Sequence, residues 1–94
     1  MDQFVIQNGT LLFTGIRIAS GNNTIRKNTI RGFGQGIHLL SSQNTVAWNN
    51  ITENGRIGIV LEGSSNNHIE KNIVTKNTVG ITLDEYSRVS PTAV

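Results

Sequence analysis

The sequence contains no cysteine, a single proline and no long hydrophobic run. Without cysteine, no disulfide framework can compensate for a small core. The longest apolar runs are a few residues, such as Leu11-Leu12-Phe13. No segment therefore reads as a membrane span, and no signal peptide is visible after Met1. Aromatic residues are scarce. The formal charge is only +2, with basic residues scattered along the chain, which argues against a nucleic-acid groove. Segments rich in Ala, Leu and Glu are also missing, which disfavours helices. What is abundant is asparagine and glycine, the residues of tight turns. Ninety-four residues allow one small domain, or part of a larger one.

The turn residues are not randomly placed. Gly-Ile occurs at Gly15-Ile16, Gly36-Ile37, Gly58-Ile59 and Gly80-Ile81, at spacings of 21, 22 and 22 residues. Each pair is followed two positions on by another apolar residue: Ile18, Leu39, Leu61 and Leu83. A second phrase repeats with it. NNTIRKNTI at 22–30 becomes QNTVAWNNI at 43–51 and NNHIEKNIV at 66–74. This aligns Asn28 with Asn49 and Asn72, Ile25 with Val46 and Ile69, and Ile30 with Ile51 and Val74. Asn54 and Asn77 mark a further turn, where Phe33 stands in the first repeat.

A period of this length signals stacked units. Each unit reads as three short strands with turns between them, the first being Gly-Ile-x-Leu with two-residue alternation. Such strands are too short for hairpin sheets. Stacked coil on coil, they form three parallel sheets, with equivalent residues about 4.8 Å apart along the axis. The paired isoleucines of one coil then point inward from two faces, and asparagine turns the corner between them. Asparagine tolerates left-handed backbone, and stacked asparagines can bond one another in a ladder. A leucine-rich repeat would need an apolar residue three positions before each Ile-x-Leu pair. Those positions hold Phe13, Gly34, Arg56 and Thr78, so one of four fits. The spacings also exclude a left-handed hexapeptide helix. The expected fold is all-β: a right-handed parallel β-helix of about three full coils of 21–23 residues plus partial end coils. Its organisation is a partial coil or cap at 1–14, repeats at 15–87 and a tail at 88–94.

The stretch GIHLLSSQNTVAWNNITENGRIGIVLEGSSNNHIEKNIVTKN resembles the repeats of right-handed parallel β-helix proteins, in particular the NosD-type group of the carbohydrate-binding and sugar-hydrolase superfamily. The resemblance covers roughly residues 15–87. It implies the fold and an extracellular or periplasmic location. It leaves function open, since lyases, hydrolases, epimerases, tailspikes and surface proteins share such coils. NosD proteins are associated with copper-enzyme maturation, but no catalytic or metal motif accompanies the repeat.

Candidate chemistry is sparse. The carboxylates are Asp2, Glu53, Glu62, Glu70, Asp84 and Glu85. Only Glu62 and Asp84 share a register, so no second acidic pair suits glycoside hydrolysis. The default for that pair is two solvated loop carboxylates. His38 falls in register with Arg17, Val60 and Thr82, and His68 with Thr24 and Thr45. The two belong on different faces as lone exposed histidines, which predicts no metal site. Lyases of this fold commonly set an arginine or lysine base beside acidic calcium ligands. Arg17, Arg26, Lys27, Arg31 and Lys71 have no such acidic cluster beside them in the sequence. No catalytic residues and no cofactor are expected. The sequons at Asn8, Asn22 and Asn50 follow from composition.

One surface feature stands out. Lys27, Trp48 and Lys71 are equivalent positions on three coils, so the indole falls between two ammonium groups in a candidate cation–π column. An exposed Trp is a platform for a pyranose face, and Asn50 beside it can bond hydroxyls. Trp48, Lys27, Lys71 and Asn50 are therefore the candidate carbohydrate-binding residues. The bland alternative is a Trp that covers a turn. The ends matter too. Phe4, Val5, Leu11, Leu12 and Phe13 can cap the first coil, whereas DEYSRVSPTAV at the other end is poor in apolar groups. The C-terminal coil face is thus expected to self-associate or to be continued by further coils. The functional expectation is a non-enzymatic structural or adhesive segment whose partner is a polysaccharide, with no nucleic-acid partner. The alternatives are a non-catalytic fragment of a polysaccharide-active enzyme and a NosD-like periplasmic accessory protein.

Overall fold

The computed structural model describes residue 1, residues 5–7 and residues 13–83. Eleven strands follow one another along the chain, with no helix among the described residues: β1 (Val5–Ile6), β2 (Thr14–Ile18), β3 (Thr24–Arg26), β4 (Thr29–Ile30), β5 (Gln35–Leu39), β6 (Thr45–Ala47), β7 (Asn50–Thr52), β8 (Ile57–Leu61), β9 (His68–Glu70), β10 (Ile73–Thr75) and β11 (Val79–Leu83). Every third strand stacks on its predecessor, and all pairings are parallel. One sheet is β2-β5-β8-β11, a second is β3-β6-β9 and a third is β1-β4-β7-β10. The chain is a parallel β-solenoid of about three turns, as its period requires.

The register matches the repeat alignment. Ile16, Ile37, Ile59 and Ile81 pair in one file, and Ile18, Leu39, Leu61 and Leu83 in another. Ile25, Val46 and Ile69 form a third file, and Ile6, Ile30, Ile51 and Val74 a fourth. In the central coils these side chains are sealed: Ile37, Leu39, Val46, Ile51 and Ile59 are 0% exposed. Like-on-like stacking lets one rotamer solution serve every coil. Leu83, the last described member of its file, is 40% exposed where Leu61 is 1%.

The glycine of each Gly-Ile pair sits where the coil turns sharply into its longest strand. A Cβ on Gly36 would come within 2.6 Å of the Gly58 carbonyl oxygen and 2.8 Å of Ile51 Cγ2. Gly15 and Gly58 are as tightly enclosed, by the glycine carbonyl of the next coil and a core side chain. Glycine is thus required for the coils to approach to pairing distance.

The corners differ from the sequence expectation in one respect. The inward-facing asparagine of each corner does not adopt the left-handed backbone; the residue before it does. Lys27, Trp48 and Lys71 have φ of 59°, 61° and 56°, and Asn22, Gln43 and Asn66 do likewise at a second corner. The left-handed residue tips the following asparagine inward, and three amide ladders result. Asn28 donates its backbone N–H and its Nδ2 to Asn49 Oδ1 at 3.0 and 3.1 Å, and Asn49 does the same to Asn72 Oδ1 at 2.9 and 3.0 Å. Asn54 donates both groups to Asn77 Oδ1, while Phe33, lacking an amide, contributes only its backbone N–H to Asn54. The third ladder runs Asn23–Asn44–Asn67 through backbone N–H donors. Its signal was present in the sequence, since these residues repeat at the same spacings of 21 and 23 as Asn28, Asn49 and Asn72.

Two single-residue insertions are absorbed locally. Between Asn54 and Gly58 the chain is one residue longer than in the preceding coil, and both Arg56 and Ile57 donate to the Gly34 carbonyl. Between Leu61 and Asn67 the turn is also one residue longer. In the shorter turns, Asn23 Nδ2 bonds Ser20 O and Asn44 Nδ2 bonds Ser41 O. In the longer one Asn67 Nδ2 is buried with no acceptor among the described residues.

The expected caps are only partly described. Val5–Ile6 pairs with β4, and Ile6 packs against the core. Phe13 is 65% exposed and so does not cover the first coil. Phe4, Leu11 and Leu12 lie outside the described residues, as do residues 84–87 of the expected repeat region and the tail at 88–94.

Two stability outcomes follow from this packing. Ile59→Ala in the sealed central file should cost about 2–5 kcal/mol in urea unfolding followed by far-ultraviolet circular dichroism. Gly36→Ala should lower the unfolding midpoint far more than Gly80→Ala, because a Cβ on Gly80 meets its nearest described neighbour, Val74 Cγ1, at 3.8 Å. Equal effects would show that coil approach does not set the glycine requirement.

Candidate functional site

Each coil presents three outward corners, and the left-handed residue at each corner points away from the core. Stacking therefore turns three sequence positions into three surface columns. At the corner between β3 and β4 and its equivalents the column is Lys27, Trp48, Lys71. At the next corner it is Gly32, Glu53, Lys76. At the third it is Asn22, Gln43, Asn66. The geometry is the same in all three, so the left-handed backbone of Trp48 is architectural rather than a sign of strain stored for function.

The candidate binding residues come together as the repeat frame requires, with one amendment. Trp48 is 58% exposed. Lys71 Nζ stands over its ring, 5.0 Å from the centroid. At this distance the ammonium is attracted by the ring quadrupole, an effect of about 0.5–1 kcal/mol at an exposed site. Lys27 occupies the corner one coil earlier and is exposed, but makes no ring contact. The expected two-sided column is thus one-sided: of the two lysines only Lys71 has its ammonium over the indole. Asn50 is exposed at the start of β7, two residues from Trp48, with Thr29 and Ile73 as its paired neighbours.

The histidines depart from expectation. His38 does pair with Arg17 and Val60 on the outer face of the longest sheet, and His68 with Thr45, so they lie on different sheets as expected. Neither is a lone exposed side chain. His38 Nε2 is 2.9 Å from Glu62 Oε1, and His68 Nε2 is 2.9 Å from Glu70 Oε1. The first pair spans two coils, because Glu62 follows β8 and folds back over the strand below. Periodicity could not reveal this contact, since it joins positions that are not equivalent in the repeat. Asp84, the expected partner of Glu62, lies outside the described residues, as do Asp2 and Glu85. Among the described residues no three His, Cys, Asp or Glu side chains gather as a metal-ligand group, and no helix is long and apolar enough to cross a membrane.

Comparison with known proteins adds one finding. No curated protein and no solved structure matches the chain. A family model described as "Periplasmic copper-binding protein (NosD)" matches residues 2–90. That match takes in all four Gly-Ile pairs and the three asparagine ladders. The chain therefore belongs to the NosD family of parallel β-helix repeat proteins.

Proposed function

We propose that this chain is a non-enzymatic β-helix segment with a structural or adhesive role, and that its Lys27–Trp48–Lys71 corner contacts carbohydrate. The observation that carries this reading is Trp48, held 58% exposed on a rigid coil with Lys71 over one ring face. A flat, amphipathic ring with few rotatable bonds offers large contact area at low entropic cost. Asn50, exposed two residues on, supplies a hydrogen-bonding amide for a hydroxyl. The backbone beneath is fixed by the Asn28–Asn49–Asn72 ladder, so the platform is preorganised.

The family match favours a second reading, that of a periplasmic accessory protein in copper handling. The described residues do not fit a copper site of their own. Each histidine is taken up by one glutamate, the two pairs lie on different sheets, cysteine is absent, and the one methionine is Met1. A role of this kind would lie in docking to a copper-handling partner.

Titration of the full chain with a broad oligosaccharide panel tests the first reading through the emission of its only tryptophan. At least one glycan should shift it, and Trp48→Ala should abolish binding measured by calorimetry while lowering stability by no more than the about 0.5–1 kcal/mol of the lost cation–π contact. Silence across the panel would remove the carbohydrate reading and leave the accessory role. In a parallel copper titration the His38 and His68 ring signals should move only at high metal excess, since two donors hold copper weakly. Tight, stoichiometric shifts of either ring would show a copper site that these residues do not suggest.

A further inference from the structure

The three corner columns share one backbone but not one charge. The Asn22–Gln43–Asn66 column is neutral. The Gly32–Glu53–Lys76 column carries one acid and one base. The Lys27–Trp48–Lys71 column carries two cations and no acid, and it holds the sole tryptophan. Among the described residues neither lysine forms an ion pair. The nearest carboxylate in sequence, Glu70, is bonded instead to His68. Of the three columns, the aromatic platform therefore sits in the one that carries cations without an acid.

Resting on the carbohydrate reading above, we propose that the ligand of this corner is an acidic glycan, one whose sugars carry carboxylate or sulfate groups. Lys71 stands over the indole, and Trp48 is still 58% exposed, so a pyranose stacks on the exposed part of the ring. Lys27 and Lys71 start from backbone positions two coils apart along the axis, about 9.6 Å by the spacing of parallel strands, but Lys71 Nζ reaches back over the indole, so its ammonium belongs to the platform itself. An acidic sugar seated against Trp48 would thus meet Lys71 directly, and Lys27 on the coil before would meet an anionic group further along the glycan. Asn50 adds a hydroxyl contact beside the ring. A neutral glycan would use the ring and the amide but leave both ammoniums without counter-charge. A nucleic acid would find one aromatic and no continuous basic groove, whereas single-strand binders stack successive bases on several rings.

The full chain is titrated by calorimetry and tryptophan emission with three probes of matched length: a neutral gluco-oligosaccharide, an oligoglucuronate and a sulfated gluco-oligosaccharide. Single-stranded DNA serves as a polyanion control. At low salt one or both acidic glycans should bind about tenfold tighter than the neutral one, as two exposed charge pairs can supply. The preference should vanish in the Lys27→Gln, Lys71→Gln double variant and shrink as salt is raised. Because both lysines are exposed corner residues, the variant should lose no more stability than the exposed cation–π contact supplies and should still unfold cooperatively, which excludes misfolding as the cause. Equal binding of neutral and acidic glycans would overturn this proposal while leaving the carbohydrate reading intact. Binding of DNA as tight as that of the acidic glycans would also overturn it, as would an acidic preference that survives in the double variant. Silence of all three glycans would defeat both readings together.

Discussion

Everything in this molecule depends on bringing one coil of backbone to within strand-pairing distance of the next at a bend. Two obstacles stand in the way. A Cβ at the entry to each long strand would strike the next coil's carbonyl, and Gly15, Gly36 and Gly58 remove it. The bend also strands backbone N–H groups inside the stack, where an unpaired donor costs about 1–3 kcal/mol. The asparagine side chains of the following coil accept them: Asn44 from Asn23, Asn49 from Asn28, and Asn54 from Phe33. Apolar stacking supplies the driving force, but these two devices make the stacking distance attainable.

The same devices explain the surface. Turning an asparagine inward requires a left-handed residue before it, and that residue must face solvent. Lys27, Trp48 and Lys71 are therefore displayed in a column because Asn28, Asn49 and Asn72 are buried beneath them. The inward half of the corner is constrained and repetitive, while the outward half is free to vary. Variation at the outward half is what distinguishes the three columns, and the distinct one is aromatic and cationic.

Exceptions to the repeat are accommodated at measurable cost. Phe33 replaces an amide with a ring that packs on the core, so its ladder starts with a single bond where Asn54 makes two. The longer turn before Asn67 strips its Nδ2 of the serine carbonyl used by Asn23 and Asn44. By contrast, the insertion before Gly58 is nearly free, because the Gly34 carbonyl has two lone pairs and takes both N–H groups.

By itself, the sequence determined the fold, the coil boundaries and the composition of each file. Every coil repeats the same solution, so one-dimensional periodicity maps directly onto three-dimensional neighbours. Ile37 lies between Ile16 and Ile59 in the sheet just as it does in the alignment. The equivalence of Lys27, Trp48 and Lys71 was legible for the same reason. Only the tertiary structure decided what periodicity cannot encode. It placed the left-handed backbone on Trp48 rather than Asn49, because the choice rests on which of two adjacent side chains gains a buried partner. It put Lys71 but not Lys27 at the indole, because equivalent backbone positions leave exposed side chains free to take different rotamers. It also joined His38 to Glu62, whose contact depends on a strand-end side chain folding across to the coil before it rather than on any repeated register.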